Sequence, residues 1–227
     1  MKFLCISDVH GNIEALDKLE AAGAFKEADA VLFAGDFAEC FKTETSKPVL
    51  DSLVKKHDEI YAVLGNCDEP DFIEELEDAG INAEKTLNYT DGFAVLGSGG
   101  GSKFTGKTPN ERTLEELMSD FAILDSCEDS ETWENLIVVS HNPPKGEKVD
   151  SFAPGMHAGS ELFTKFIEEK KPLAVLTGHI HEGTAIETIG STVVVNPGSL
   201  GEKGTYAILT VEKKDGKYSA AAELKNL

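Results

Sequence analysis

At 227 residues the chain is long enough to bury an ample core, and with no linker-like tract it reads as one domain over residues 1–227. A net charge of −20, from 21 basic and 41 acidic residues, excludes non-specific nucleic-acid binding, which rests on basic patches. No signal peptide, no apolar run of membrane-spanning length and no zinc-type spacing among the four cysteines is seen, so a cytoplasmic chain with reduced thiols is expected.

The first apolar run, Phe3 to Ile6, predicts a buried strand that ends in Asp8-Val-His10. Residues i and i+2 of an extended chain point to one side, so this carboxylate and imidazole reach one point, a pairing suited to a first-row divalent ion. Taken alone, Asp-x-His is as well explained by a polar turn. Asn12 caps a predicted helix from Ile13 to Ala22, and Gly23 stops it. Strand Ala30 to Ala34 follows and stops at Gly35-Asp36; Pro48 opens a helix through Leu50 and Leu53. Strand Ile60 to Leu64 stops at Gly65-Asn66-Cys67-Asp68, and Pro70 opens a helix that ends at Gly80. This βαβαβα pattern predicts a parallel sheet with right-handed crossovers.

Lys85 to Thr90 and Phe93 to Gly97 then read as a hairpin about Asp91-Gly92. A glycine-rich loop follows. Thr108 and Glu111 read as a capping box, with Pro109 at the first helical position and Leu114, Leu117, Phe121 and Leu124 at helical spacing behind it. Strand Leu136 to Ser140 runs into His141, Ser160 caps a helix through Phe163 and Ile167, and strand Leu173 to Thr177 runs into Gly178-His179-Ile180-His181. Ala185 to Thr188, Thr192 to Asn196, Thr205 to Val211 and Tyr218 to Leu224 read as further, antiparallel strands.

Five strand-like runs thus deliver Asp8, His10, Asp36, Asn66, His141, His179 and His181 at their carboxyl ends, the edge where α/β sheets bind ligands. Four of the six histidines fall in this set. The order DxH, GD, GNxD, H, GHxH, from Asp8 to His181, resembles the calcineurin-like metallophosphoesterases. The resemblance implies an α/β fold, a four-layer αββα sandwich of two mixed sheets flanked by helices. It implies two divalent ions, manganese first with iron, zinc, nickel or cobalt also open. Asp8, His10, Asp36 and His181 would hold one ion, and Asp36, Asn66, His141 and His179 the other, with Asp36 bridging. Asp36, Asn66 and His141 are the implied catalytic residues. The implied reaction is hydrolysis of a small phosphate ester by a metal-bridging hydroxide, with cations about 3.5–4 Å apart clamping an in-line displacement. No membrane is needed, and the oligomeric state stays open.

One departure matters. Many relatives carry GNHD or GNHE, whose histidine protonates the leaving group, whereas this chain has Cys67 there. A thiol with a pKa near 8.5 is a poor acid catalyst, and GNCD resembles a subgroup of small prokaryotic phosphodiesterases, so a diesterase is expected over a monoesterase. Cys67 and His157, which precedes a helix start, are candidate substrate contacts. Glu39 and Asp68 read equally as support for the ligands or as solvated groups; Asn12 and Asn142 as ligand-orienting; His57 as a surface residue; Asn196-Pro-Gly-Ser199 as a plain turn.

Two other classes stand beside this reading. One is a non-catalytic scaffold with the same fold, which seven intact ligand positions oppose. The other is a P-loop protein, since Gly101-Ser-Lys-Phe-Thr-Gly106-Lys107-Thr108 matches GxxxxGK[ST] after a strand. Pro109 and a run with no apolar residue before Leu114 oppose the apolar helix a P-loop needs, and a loop gating the site is expected instead.

Overall fold

A computed structural model describes residues 1–127 and 135–227. Strands β1 (Lys2–Ile6), β2 (Ala30–Phe33) and β3 (Ile60–Ala62) are joined through helices Ile13–Ala21 and Ser46–Leu53. Asn12 caps the first helix, its side chain accepting from the Ala15 amide at 3.2 Å. Helix Ile73–Asp78 follows β3, then the hairpin β4 (Asn88–Thr90) and β5 (Phe93–Ser98) turns on Asp91 and Gly92, both at positive φ. Lys85, at φ 57°, lies outside β4, which is shorter than the predicted Lys85–Thr90. A two-residue ribbon pairs β6 (Gly101–Ser102) with β7 (Glu111–Arg112). Then come β8 (Leu136–Ser140), the small hairpin β9 (Ser151–Ala153) and β10 (Met156–His157), helix Glu161–Lys170, β11 (Ala174–Thr177), and the antiparallel pairs β12 (Ala185–Ile189) with β13 (Thr192–Asn196) and β14 (Thr205–Lys214) with β15 (Lys217–Asn226).

Two mixed sheets result, ordered β15-β14-β1-β2-β3 and β12-β13-β11-β8-β5-β4. In the first, β1, β2 and β3 are parallel; in the second, β13, β11, β8 and β5 are. Strand alternation explains why the apolar runs lack a polar phase. Phe3 and Cys5 of β1 join Leu32, Val139, Leu176 and Leu209 in the core between the sheets. Leu4 and Ile6 point the other way, against Leu16, Leu19, Val49 and Leu53 of the covering helices. On the far side, Leu136, Val138 and Val175 pack under Phe121, Phe163, Phe166 and Ile167. The four layers are therefore helix, sheet, sheet, helix, and the carboxyl ends of the parallel strands in both sheets meet along one edge.

The helix predicted from Pro109 begins later, at Leu114. Thr113 and Glu116 form the capping box, and Glu111–Arg112 is already committed to β7. Thr-x-x-Glu occurs twice in this stretch, and the second occurrence is the cap. Among the described residues no helix is long and apolar enough to cross a membrane.

Candidate metal centre

The loop after β1 runs beside the loop after β2, tied by Asp8 N to Gly35 O (2.9 Å), His10 N to Asp36 O (3.0 Å) and Gly11 N to Phe37 O (2.8 Å). Four of the motif residues take left-handed backbone: Asp8 (φ 54°), His10 (49°), Asp36 (58°) and His179 (68°). Such outliers cluster where side chains must be aimed. Gly35 and Gly65 let the loops stack closely. A Cβ on Gly35 would lie 2.6 Å from Gly65 N, and one on Gly65 would lie 1.9 Å from Asp36 Oδ1.

All seven motif side chains converge at this edge. His10 Nδ1 donates to Ala38 O (3.0 Å), His141 Nδ1 to Ala34 O (2.6 Å), and His181 Nδ1 to Glu202 Oε2 (3.0 Å). Each anchor leaves Nε2 turned inward, the orientation a metal-ligating imidazole needs. His10 Nε2 lies 3.2 Å from His181 Nε2, and His181 Nε2 lies 3.2 Å from Asp8 Oδ1. Asp36 Oδ2 stands 3.6 Å from His10 Nε2 and 3.5 Å from His141 Nε2, between the two halves. Asp8, His10 and His181 each offer a ligand atom within 4.8 Å of the others, as do Asp8, Asp36 and His141. His179 joins through its backbone amide, which donates to Asp8 Oδ2 (3.2 Å), and its ring centroid lies 5.1 Å from that of His141.

One contact tests whether this cage fits cations. With Nδ1 donating to Ala34, His141 turns Nε2 to Asn66 Oδ1 at 2.9 Å. A positive charge between the two, whether a ring proton or a bound ion, satisfies both, and 2.9 Å suits two ligands of one ion with bonds near 2.1 Å. The oxygen and imidazole donors suit first-row divalent metals.

The electrostatics point the same way. Burial pushes the Asp36 carboxyl well above its ordinary value, and the carboxylates of Asp8 and Asp68 push it further. Burial opposes ionisation of Asp8 too, but the His181 hydrogen bond and the fields of His141, His181 and His10 hold it below the usual carboxylate range. Against the pull of burial, Asp8 and then Glu202 raise His181 to about 9. Burial and the neighbouring His141 lower His179 to about 3, so it stays neutral. A divalent ion taking His181 Nε2 would displace the proton that Asp8 and Glu202 favour there.

Among the supporting residues, Asp68 is fully buried and accepts from Gly65 N (2.7 Å), Ala38 N (2.8 Å) and Phe37 N (3.2 Å), which ties the Asp36 and Asn66 loops together. Asn142 Oδ1 accepts from Ser102 N, and Asn12 is a helix cap. Glu39 is exposed and paired with Lys42. His57 is half-buried and bonded through Nε2 to Ala28 O. His157 turns Nδ1 to the buried Asp150 at 2.9 Å. Two contributors have no sequence motif. Ser199 Oγ donates to Asp8 O (2.8 Å), which makes the Asn196-Pro-Gly-Ser199 turn a brace for the site, and Glu202 orients His181.

The expectation of four reduced thiols is corrected, because Cys40 and Cys67 form a disulfide with Cα atoms 5.0 Å apart. Cys67 is 1% exposed and its sulfur is committed to that bond, so as a substrate contact it is displaced from the surface. The P-loop reading also meets a physical obstacle. The amides of Phe104, Gly106, Lys107 and Thr108 converge as such a nest would, but on the carboxylate of Glu111; against burial, the Phe104 and Gly106 amides and the Thr105 and Thr108 hydroxyls lower it to about 2. The chain's own anion fills the place of a phosphate.

Residues 1–183 match the calcineurin-like phosphoesterase family. The uncharacterized protein MJ1162 of Methanocaldococcus jannaschii is 31% identical over 204 residues, 87% of this chain and 88% of that protein. The solved structure of TT1561 of Thermus thermophilus is similar with a TM-score of 0.69 at 20% identity, over 97% of each chain. That of a novel archaeal phosphodiesterase is similar with a TM-score of 0.51 at 15% identity, over 98% of this chain and 100% of that one. At those identities the two structures show a shared fold. By the family match, the 31% relative and the converged motifs, the chain belongs to the calcineurin-like phosphoesterases and is a metal-dependent phosphoric ester hydrolase.

Proposed function

We propose that this chain is a phosphodiesterase working with two divalent ions, manganese first among them. Asp8, His10, Asp36 and His181 hold one ion; Asp36, Asn66, His141 and His179 hold the other. The observation that carries the reading is the meeting of Asn66 Oδ1 and the inward-turned Nε2 of His141, 2.9 Å apart beside Asp36. Asp36 Oδ2 is nearly equidistant from His10 and His141, which supports it as the bridge. When bound, two such ions lower the pKa of a water between them and neutralise charge that develops on phosphoryl oxygens. The chain's own residues set the geometry. The anchored Nδ1 atoms fix three imidazoles, and the Cys67 amide fixes Asp36 Oδ1 at 2.8 Å, which leaves Oδ2 for both ions.

Cys67 supports a diester over a monoester. Relatives place a leaving-group acid at this position, and here the sulfur is bonded to Cys40. The leaving oxygen then departs without a side-chain proton donor at that position, which favours stabilised leaving groups such as aryloxides. The similarity to an archaeal phosphodiesterase accords with this reading. The test is a leaving-group series of aryl and alkyl diesters and monoesters, run with Mn²⁺ and after chelation. Metal-dependent turnover of diesters, steeply dependent on leaving-group pKa, is expected. Monoesters turned over faster than matched diesters would reject the diester reading, and the absence of any metal-dependent turnover would leave the scaffold alternative.

A further inference from the structure

The seven proposed ligands do not use every metal-binding side chain at this edge. His10, Cys40 and Cys67 each offer a donor atom, all within 4.8 Å of one another. The two cysteines come from different loops. Cys67 is buried, its amide donating to Asp36 Oδ1 and its sulfur 3.5 Å from Asn66 Nδ2. Cys40 is exposed, on the loop whose Ala38 carbonyl accepts from His10 Nδ1. The other two cysteines stand apart from this cluster. Cys5 lies in the core, where burial pushes its thiol up to about 12, and Cys127 lies beyond the helix Leu114–Ser119, its thiol donating to Ile123 O.

Two thiolates and one imidazole are a donor set for a soft or borderline ion such as Zn²⁺, unlike the oxygen and imidazole set beside it. We propose that Cys40, Cys67 and His10 form a second, thiol-dependent binding site for a soft divalent cation that shares His10 with the first, and that the Cys40–Cys67 disulfide is the form in which this site is closed. Binding releases one proton from each thiol to solvent as each metal–sulfur bond forms. Closing needs an oxidant, here a low-molecular-weight disulfide. The exposed Cys40 thiolate attacks it and expels one thiolate. Cys67 then attacks Cys40 Sγ and expels the second, so two protein thiols become one disulfide and one small disulfide becomes two thiols. Exposure of Cys40 makes its sulfur the accessible partner in both directions.

His10 belongs to both donor sets. An ion at the thiol site takes a ring nitrogen that otherwise faces Asp8 and Asp36 or donates to Ala38, so occupancy weakens the neighbouring centre. The oxidised chain keeps His10 for that centre and joins its two loops covalently.

Cobalt reports the difference directly, because thiolate ligation gives a near-ultraviolet charge-transfer band that oxygen and imidazole ligands do not. The full-length protein is reduced with a phosphine, freed of reductant and titrated with Co²⁺. A saturable thiolate band is expected, bleached by excess Zn²⁺. The band is expected to be absent after oxidation with a small disulfide, when the denatured chain titrates two free thiols instead of four. It is expected to be lost in Cys40→Ser, whose far-ultraviolet circular dichroism matches wild type. A variant-free readout is alkylation of the reduced protein: Zn²⁺ should protect the Cys40 peptide from iodoacetamide at least tenfold by mass spectrometry. No thiolate band at saturating Co²⁺, or a band unchanged in Cys40→Ser, overturns the site. A band that persists after treatment with the small disulfide overturns the closing step. The proposed phosphodiesterase centre is read separately, from Mn²⁺ stoichiometry of the oxidised protein.

Discussion

Asp36 stands between the two halves, its Oδ2 within 3.6 Å of an imidazole of each. Asp36→Asn replaces one carboxylate oxygen with an amide nitrogen and removes a charge. Both Mn²⁺ ions are expected to be lost together, each bound about tenfold or more weakly. His10→Ala should weaken chiefly one. Metal content after dialysis at limiting Mn²⁺ checks this, and retention of two ions by Asp36→Asn would reassign the bridge. A second residue-scale outcome concerns Glu84, buried behind the Asn66 loop and accepting from Leu64 N at 2.7 Å. Burial raises its carboxyl to about 7 from an ordinary 4.5, against the Leu64 hydrogen bond, with Asp120 adding to the rise. The unfolded chain releases this proton near pH 4.5 and the folded chain near 7. Stability from this group is therefore full below pH 4.5, falls through that window and stays low above it. Glu84→Gln keeps an oxygen for Leu64 and cannot ionise. It is expected to raise stability at pH 8, by roughly 3 kcal/mol at most, and to change little at pH 4, which denaturant titrations at the two pH values measure.

At the scale of elements, the loop from Gly97 to Thr108 divides into a fixed root and an open tip. Gly100 N bonds Leu64 O, Asn110 N bonds Asn66 O, and Ser102 N bonds Asn142, whereas Phe104 at the tip is 93% exposed. Glu111 organises the tip through four amides. Glu111→Ala is expected to speed tryptic cleavage after Lys103 or Lys107 severalfold, and Lys107→Ala to leave metal-dependent turnover within about twofold of wild type. Tight Mg²⁺-dependent ATP binding that Lys107→Ala abolished would instead restore the nucleotide reading. The sequence showed elements in proportion to how local their causes are. β8 and β13 were legible to the residue, because buried β-branched runs bounded by polar turns leave no other register. Convergence of the seven motif residues was legible because parallel strands bring their carboxyl ends to one edge. What stayed hidden depends on partners distant in sequence. Ser199 lies 191 residues from Asp8, and Cys40 and Cys67 are 27 apart with no pattern to join them. The capping box was misplaced for a local reason, since the same signature recurs five residues on and pairing with β6 decided between the two.

The whole molecule carries a charge of −20 on a surface that must admit an anionic ester. At low ionic strength that field reaches about 30 Å, and at 0.15 M about 8 Å. Encounter with a monoanionic aryl diester is therefore opposed at long range and helped by salt, while the centre's ions govern events once the ester is bound. With saturating Mn²⁺, kcat/KM is expected to rise about two- to fivefold from 10 to 150 mM salt, with kcat flat. A fall over the same range would mean that positive potential at the site dominates the approach as well.

Asp8, His10, Asp36 and His179 hold left-handed backbone that a glycine would adopt without penalty, at a cost of about 1–2 kcal/mol per residue at worst and less for aspartate. These positions tie fold to function through the backbone as well as the side chain. A glycine would relieve the φ at His179 but give up the ring that lies 5.1 Å from that of His141 and add freedom to the unfolded chain, so His179→Gly is expected to bind less metal without melting later.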